Sequence, residues 1–300
     1  MENVKNIKKI DIHAHATAFP EYFPPCRAGR RMISADEVIK FYDELGIEKG
    51  VLLPITAAEG QVSPLTSEAT KLLVDKYPDR FLWFCNVDPR AVSNSPNASL
   101  YDVIAFYKSI GAKGLGELTA NIYADDVRID NLFGCCEELE MPVTIHIAPK
   151  FRNYGIVDEL GLPRLEKMLK KHPKLKILGH SQPFWSEMSA DNTEEIRNTF
   201  PNTKVIDGRI PKLMREYPNL YCDLSAGSGS NALMRDPEYA ARFIEEFSDR
   251  ILYGCDICGT HNTHQYIFKD FLEKMLDDGM VSPENYRKIV RDNAIALLKL

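Results

Sequence analysis

Short apolar runs rich in β-branched residues alternate along this chain with longer stretches in which apolar residues recur at helical spacing. A short run closed by a small or polar residue reads as a buried strand, and the 3.6-residue period reads as a helix with one face inward. The runs predict eight strands, over 9–13, 50–54, 81–87, 112–118, 142–147, 175–180, 219–224 and 250–256. The helical periodicity predicts helices over 34–45, 67–77, 100–110, 131–140, 162–172, 206–217, 237–247 and 264–276. Gly46, Gly111, Pro78 and Pro173 stand where helices should stop, since glycine accepts the left-handed cap conformation and proline cannot continue a helix.

Such alternation implies βαβ units and a parallel sheet. Eight units in 300 residues match a (β/α)8 barrel, which needs about 250 residues, and no Gly/Ser-rich linker divides the chain. The expectation is therefore one α/β domain, a TIM barrel over residues 1–300 with an additional C-terminal helix. That last segment, from Ser282-Pro283 to Leu300, opens with proline near its first turn and is expected to pack across the barrel exterior. The irregular stretches 16–32, 56–64, 148–161 and 181–205 each follow a predicted strand, on the barrel face where active sites are built.

The residues at the ends of these strands carry chemistry. His13 and His15 form an H-x-H at a strand end, where residues two apart point to the same side, so two imidazoles can reach one ion. His146 ends the fifth predicted strand, His180 the sixth and Asp256 the eighth. In a closed parallel barrel all these ends converge on one mouth. Taken singly, each has a plainer explanation: a hydrogen-bonded barrel histidine, or a helix cap for Asp256. Their joint occurrence favours a metal centre, because imidazole nitrogen suits zinc and similar borderline cations.

Composition narrows the picture. The chain is 44% hydrophobic and 27% charged, which sets it among folded soluble proteins rather than disordered ones. Its size allows a large core, so a metal need not be structural. A net charge of −6 offers no general basic field for nucleic acid or anionic lipid, and no run of about 18 apolar residues suggests a membrane span. A cytoplasmic protein with reduced thiols is expected from the odd number of cysteines, seven, and the lack of a signal-like N-terminus. Cys255 and Cys258 have redox-pair spacing, but a zinc knuckle would require a second paired motif, which Cys135-Cys136 does not supply.

The ordered set Asp11-Ile12-His13-Ala14-His15, Pro142-Val143-Thr144-Ile145-His146, Leu175-Lys176-Ile177-Leu178-Gly179-His180, Ile251-Leu252-Tyr253-Gly254-Cys255-Asp256 and the late Asp292-Asn293-Ala294 resembles the amidohydrolase superfamily. The likeness is to its amidohydrolase-related (amidohydrolase 2) branch of TIM-barrel metal-dependent hydrolases, which also contains decarboxylases, and it spans nearly the whole chain. The resemblance implies that His13, His15, His146 and Asp256 ligate a divalent cation. It further implies that His180 holds or polarises water or substrate, and that Asp256 exchanges the proton of a hydrolytic cycle. One ion is expected, zinc first and manganese second.

Glu117 occupies the place where some superfamily members carry a carbamylated lysine, and resembles the strand-four glutamate of TatD-like nucleases. It is expected either as a ligand, even of a second metal, or as a carboxylate that bonds a ligating histidine or binds substrate. Arg152, Gln182 and Trp185 lie after strands five and six and are candidates for substrate binding. His172 is expected at the surface, His261 and His264 at a helix N-terminus or lining the pocket, and 225–230 as a flexible loop. The expected activity is hydrolysis of a C–N or C–O bond, an amide or lactone, in a small organic substrate. Decarboxylation of an unsaturated or aromatic acid is the alternative, and a non-catalytic metal scaffold a further one. A homodimer is admitted by general prevalence only.

Overall fold

The computed structural model describes residues 4–24, 31–60 and 65–300. Nine parallel-paired strands occur among them: β1 (Lys9–Ala14), β2 (Ile47–Leu52), β3 (Phe81–Trp83), β4 (Leu115–Leu118), β5 (Val143–Ala148), β6 (Ile156–Val157), β7 (Ile177–His180), β8 (Leu220–Asp223) and β9 (Ile251–Leu252). β6 is a two-residue addition on the edge of β5, inside a stretch expected to be irregular. The other eight are the predicted barrel strands.

They pair in the order β1-β2-β3 and β4-β5-β7-β8-β9. Two further contacts join these groups. Cys85 bridges Leu115 in parallel, with the Cys85 N–H 2.9 Å from the Gly114 carbonyl, and Ala14 bridges Ile257, with the His15 N–H 2.9 Å from the Ile257 carbonyl. The result is a (β/α)8 barrel, whose inward apolar residues Ile10, Ile12, Val51, Leu53, Phe84, Leu178 and Leu252 form one cluster.

The surrounding helices are α1 (Ala35–Leu45), α2 (Ser67–Lys76), α3 (Leu100–Ser109), α4 (Val127–Glu138), α5 (Pro163–Lys171), α6 (Gln182–Ser186), α7 (Arg209–Glu216), α8 (Ala226–Met234), α9 (Pro237–Phe247), α10 (His264–Asp277), α11 (Pro283–Arg287) and α12 (Asn293–Leu298). Their ends follow the local chemistry. Ser34 and Glu37 form a reciprocal capping box that starts α1, and Gly46 ends it at φ +71°, where a side chain would be strained. The apolar faces of the large helices meet the outer side of the strands in the main core, which includes Val38, Tyr42, Leu73, Leu132, Leu213 and Phe243.

Three expectations need correction. The segment 225–230 is mostly helix: α8 begins at Ala226, and Ser228, Gly229 and Ser230 are buried. His172 is buried, not a surface residue, because its Nε2 lies 2.9 Å from Asp130 Oδ1 and its carbonyl accepts from Asn219. The C-terminal segment does not merely cross the exterior. Ala294, Leu297 and Leu298 of α12 join the barrel-interior cluster, and Lys299 pairs with Glu140 beside the start of β5, so α12 closes the end opposite the histidines.

Candidate active site

The C-terminal ends of the strands bring His13 and His15 (β1 and just beyond), Glu117 (β4), His146 (β5), His180 (β7), Asp223 (β8) and Asp256 together. β1 shifts its register on β2 between Asp11 and Ala14, where it delivers His13. β9 ends at Leu252, four residues earlier than the sequence pattern predicts, and Asp256 lies beyond it at φ +51°. A non-glycine residue there is uncommon and is held only when its surroundings enforce it.

Each ring is oriented by a bond on its far nitrogen. His13 Nδ1 lies 2.6 Å from Asp223 Oδ2, and His15 Nδ1 lies 2.8 Å from the Leu53 carbonyl. Both rings thus aim Nε2 into the mouth, where the two nitrogens are 3.1 Å apart. Asp256 Oδ1 is 3.7 Å from His13 Nε2 and 3.4 Å from His15 Nε2. A tetrahedral ion bound at about 2.0–2.1 Å needs donors about 3.4 Å apart, so these three atoms fit a metal without rearrangement of the fold. Ring orientation by carboxylate and carbonyl is the usual support of metal-ligating histidine.

Glu117 is buried in the same mouth. Its Oε1 lies 2.6 Å from His146 Nδ1 and 3.9 Å from His180 Nε2, while Oε2 is 3.5 Å from His15 Nε2. His13, Glu117 and His180 form a second group of close donors, alongside His13, His15 and Asp256. Neither group includes His146, whose Nδ1 is taken by Glu117, which leaves Nε2 as its nitrogen for an ion. The His180 ring lies tilted against His13, 4.6 Å from ring centre to ring centre, and its Nδ1 lies 3.0 Å from Ser225 Oγ.

The electrostatics match this crowding. Burial favours a neutral ring at His13, but the carboxylates of Asp223, Asp256 and Glu117 outweigh it and push its pKa up to about 10. Burial, with the neighbouring His13, pushes His180 down to about 4. Burial opposes ionisation of Asp256 too, yet His13, His15 and His180 draw it down to about 2, and Glu117 and Asp223 are likewise held below the usual carboxylate range by their histidines.

The substrate-binding candidates are placed differently from one another. Arg152 is exposed in the loop after β5, at φ +70°, with its N–H donating to Asn121 Oδ1. Gln182 starts α6 and is partly exposed. Trp185 is 2% exposed, and its indole N–H donates to the Asp223 carbonyl, where it buttresses the strand end. His264 Nε2 lies 2.9 Å from the Cys255 carbonyl, and His261 is exposed. Cys255 is a buried thiol against the Tyr253 hydroxyl, while Cys258 Sγ lies 3.5 Å from Asn262 Oδ1. Cys26, one of the seven cysteines expected as reduced thiols, lies outside the described residues.

Two site residues escaped the sequence reading. Asp223 ends a predicted strand and could have been found by the same rule that selected His146 and His180. Tyr154, whose hydroxyl donates to Glu117 Oε2 at 3.1 Å and whose ring meets His146 edge-on at 4.8 Å, sits in an irregular stretch that gave no signal.

The amidohydrolase family model matches residues 10–300, and the chain belongs to this family of metal-dependent enzymes. None of the curated proteins matches the chain significantly. Among solved structures, an uncharacterized TIM-barrel protein of Bordetella bronchiseptica is similar at TM-score 0.67 and 16% identity, over 98% of this chain and 99% of that one. A dihydroxybenzoic acid decarboxylase of Polaromonas, with bound manganese and the inhibitor 2-nitroresorcinol, is similar at TM-score 0.64 and 19% identity, over 98% and 97%. A probable 2-pyrone-4,6-dicarboxylic acid hydrolase of Acinetobacter baumannii, with citric acid bound, is similar at TM-score 0.61 and 14% identity, over 98% and 100%.

Proposed function

We propose that this protein is a metal-dependent hydrolase that cleaves a C–N or C–O bond, in an amide or lactone, of a small organic molecule. The observation that carries the proposal is the placement of Asp256: one carboxylate oxygen faces His15 Nε2 at 3.4 Å and the other faces His180 Nε2 at 3.9 Å. His13, His15 and Asp256 would hold the cation, with His146 and Glu117 completing its surroundings. A divalent ion there supplies Lewis acidity, acidifying water toward neutral pH and stabilising negative charge that develops on the substrate. Asp256 accepts the proton of the attacking water and returns it to the leaving group. His180, neutral at physiological pH, hydrogen-bonds the substrate oxygen. Zinc is the first choice of ion, from the nitrogen-rich donor set, and manganese the second.

Among the described residues Glu117, Asp223 and Asp256 pair with histidines, and no lysine or arginine forms an ion pair with them. Decarboxylation of an unsaturated or aromatic acid is the second reading, supported by the likeness to the Polaromonas decarboxylase along nearly all of the chain. Metal-loaded protein assayed on lactones, amides and aromatic acids separates the two. Incorporation of oxygen from labelled water without carbon dioxide is expected; metal-dependent carbon dioxide release overturns the hydrolase assignment in favour of the lyase.

A further inference from the structure

Asp11 is wholly buried two residues before His13, yet it does not face the mouth. Its Oδ1 accepts from the His13 N–H at 3.0 Å and from the Cys255 N–H at 2.9 Å. Its Oδ2 accepts from the Tyr42 hydroxyl of α1 at 2.8 Å. The carboxylate therefore ties together three elements at the seam where the barrel closes.

The backbone at that seam explains why a carboxylate is needed. The Ile12 N–H donates to the Tyr253 carbonyl at 3.0 Å, and in a regular parallel ladder the Cys255 N–H would next donate to the Ile12 carbonyl. It donates to Asp11 Oδ1 instead. Beyond this point the pairing has slipped, with the Asp256 N–H on the His13 carbonyl at 2.7 Å and the His15 N–H on the Ile257 carbonyl at 2.9 Å. Asp256 makes the slip at φ +51°, and the slip turns its carboxylate toward His15 and His180. A buried N–H left without a partner at Cys255 would cost about 1–3 kcal/mol, so an irregular seam requires an acceptor at this position.

Tyr42 aims that acceptor, and the sequence makes room for it. A Cβ at Gly50 of β2 would lie 1.9 Å from the Tyr42 hydroxyl oxygen, so only glycine lets the phenol cross β2 to Asp11.

We propose that Asp11, aimed by Tyr42, is a positioning residue: it holds the slipped strand seam that sets the spacing between the His13/His15 pair and Asp256. Its role toward a metal rests on the function proposed above, whereas its role toward the backbone does not.

Two measurements on the full chain test this. The first is amide hydrogen exchange over residues 253–257 in metal-free protein; the second is titration with zinc and with manganese. Asp11→Ala removes the acceptor, and is expected to speed exchange at Cys255 at least about tenfold and to weaken ion binding about 10- to 100-fold. Asp11→Asn keeps an acceptor oxygen for both N–H groups, while the Tyr42 hydroxyl can turn to accept from the new amide. It is expected to stay within about threefold of the wild type in both measurements. Wild-type exchange in Asp11→Ala, or an Asp11→Asn variant as impaired as the alanine variant, overturns the proposal. Should Asp11→Ala fail to fold, Tyr42→Phe serves in its place: faster Cys255 exchange is expected, and wild-type exchange overturns. A wild-type protein that binds neither ion removes the proposed function and leaves the exchange result to judge Asp11.

Discussion

Asp223 Oδ2 lies 2.6 Å from His13 Nδ1, with both side chains wholly buried at the mouth of the barrel. The pair fixes which nitrogen of His13 faces His15 and Asp256. It also carries a prediction. Asp223→Asn can still occupy the space but no longer supplies the charge that holds the ring, and metal affinity is expected to fall about 10- to 100-fold. Calorimetric titration with zinc checks this, and an affinity equal to that of the wild type would reduce Asp223 to a packing role.

Proton and metal compete at His13. Its folded-state pKa of about 10 lies above the ordinary value of 6.5, so in metal-free protein the His13–Asp223 pair contributes stability that is fully present below about pH 6.5 and lost as pH rises through about 10. An ion must displace the His13 proton, so metal affinity is expected to rise across the same interval, with proton release on binding. Denaturant melts of metal-free protein and titrations in buffers of different ionisation enthalpy measure both effects. In Asp223→Asn the stability slope above pH 6.5 is expected to flatten.

Glu117 meets His146 through one oxygen and the Tyr154 hydroxyl through the other. Both oxygens are thus engaged by orienting bonds, which favours a supporting carboxylate over a ligand to a second ion. Glu117→Gln is expected to keep one metal per chain while kcat falls about 10- to 100-fold. Elemental analysis beside steady-state kinetics decides the matter; loss of a metal equivalent would make Glu117 a ligand.

Barrel architecture was legible because its signal is repeated and local. Each strand run and each helix stop, such as Gly46 at φ +71°, declares itself over a few residues. The same rule of strand ends brought out His13, His15, His146 and His180. It overran at the eighth strand, because the apolar run continues to Cys255 while β9 ends at Leu252 and the Cys255 N–H turns from the ladder to Asp11 Oδ1. Nothing in a one-dimensional pattern shows that a side chain, Asp11, has replaced a backbone acceptor. Tyr154 was hidden for another reason: its place depends on the loop after β5, which Asn121 fixes from the loop after β4 through bonds to the Asn153 and Gly155 carbonyls. The Ser225–Ser230 segment read as a loop from its glycines and serines, but burial against α6 and α10 overrides that weak propensity.

Closure of the barrel base by α12 separates stability from chemistry. Leu297 is buried in the interior cluster at the end away from the histidines. Leu297→Ala is expected to cost about 2–5 kcal/mol by loss of apolar burial and the cavity left behind. KM and metal affinity should stay at wild-type values. Denaturant unfolding together with kinetics checks both halves, and a changed metal affinity would show that the base and the mouth are coupled.

The central claim, a divalent ion held by His13, His15 and Asp256, is tested most directly by metal analysis. Protein purified without chelator, and the His13→Ala and Asp256→Ala variants, are assayed for zinc and manganese per folded chain. About one ion per wild-type chain is expected, with both variants losing most of it while circular dichroism shows an intact barrel. Undiminished metal content in both variants would contradict the account.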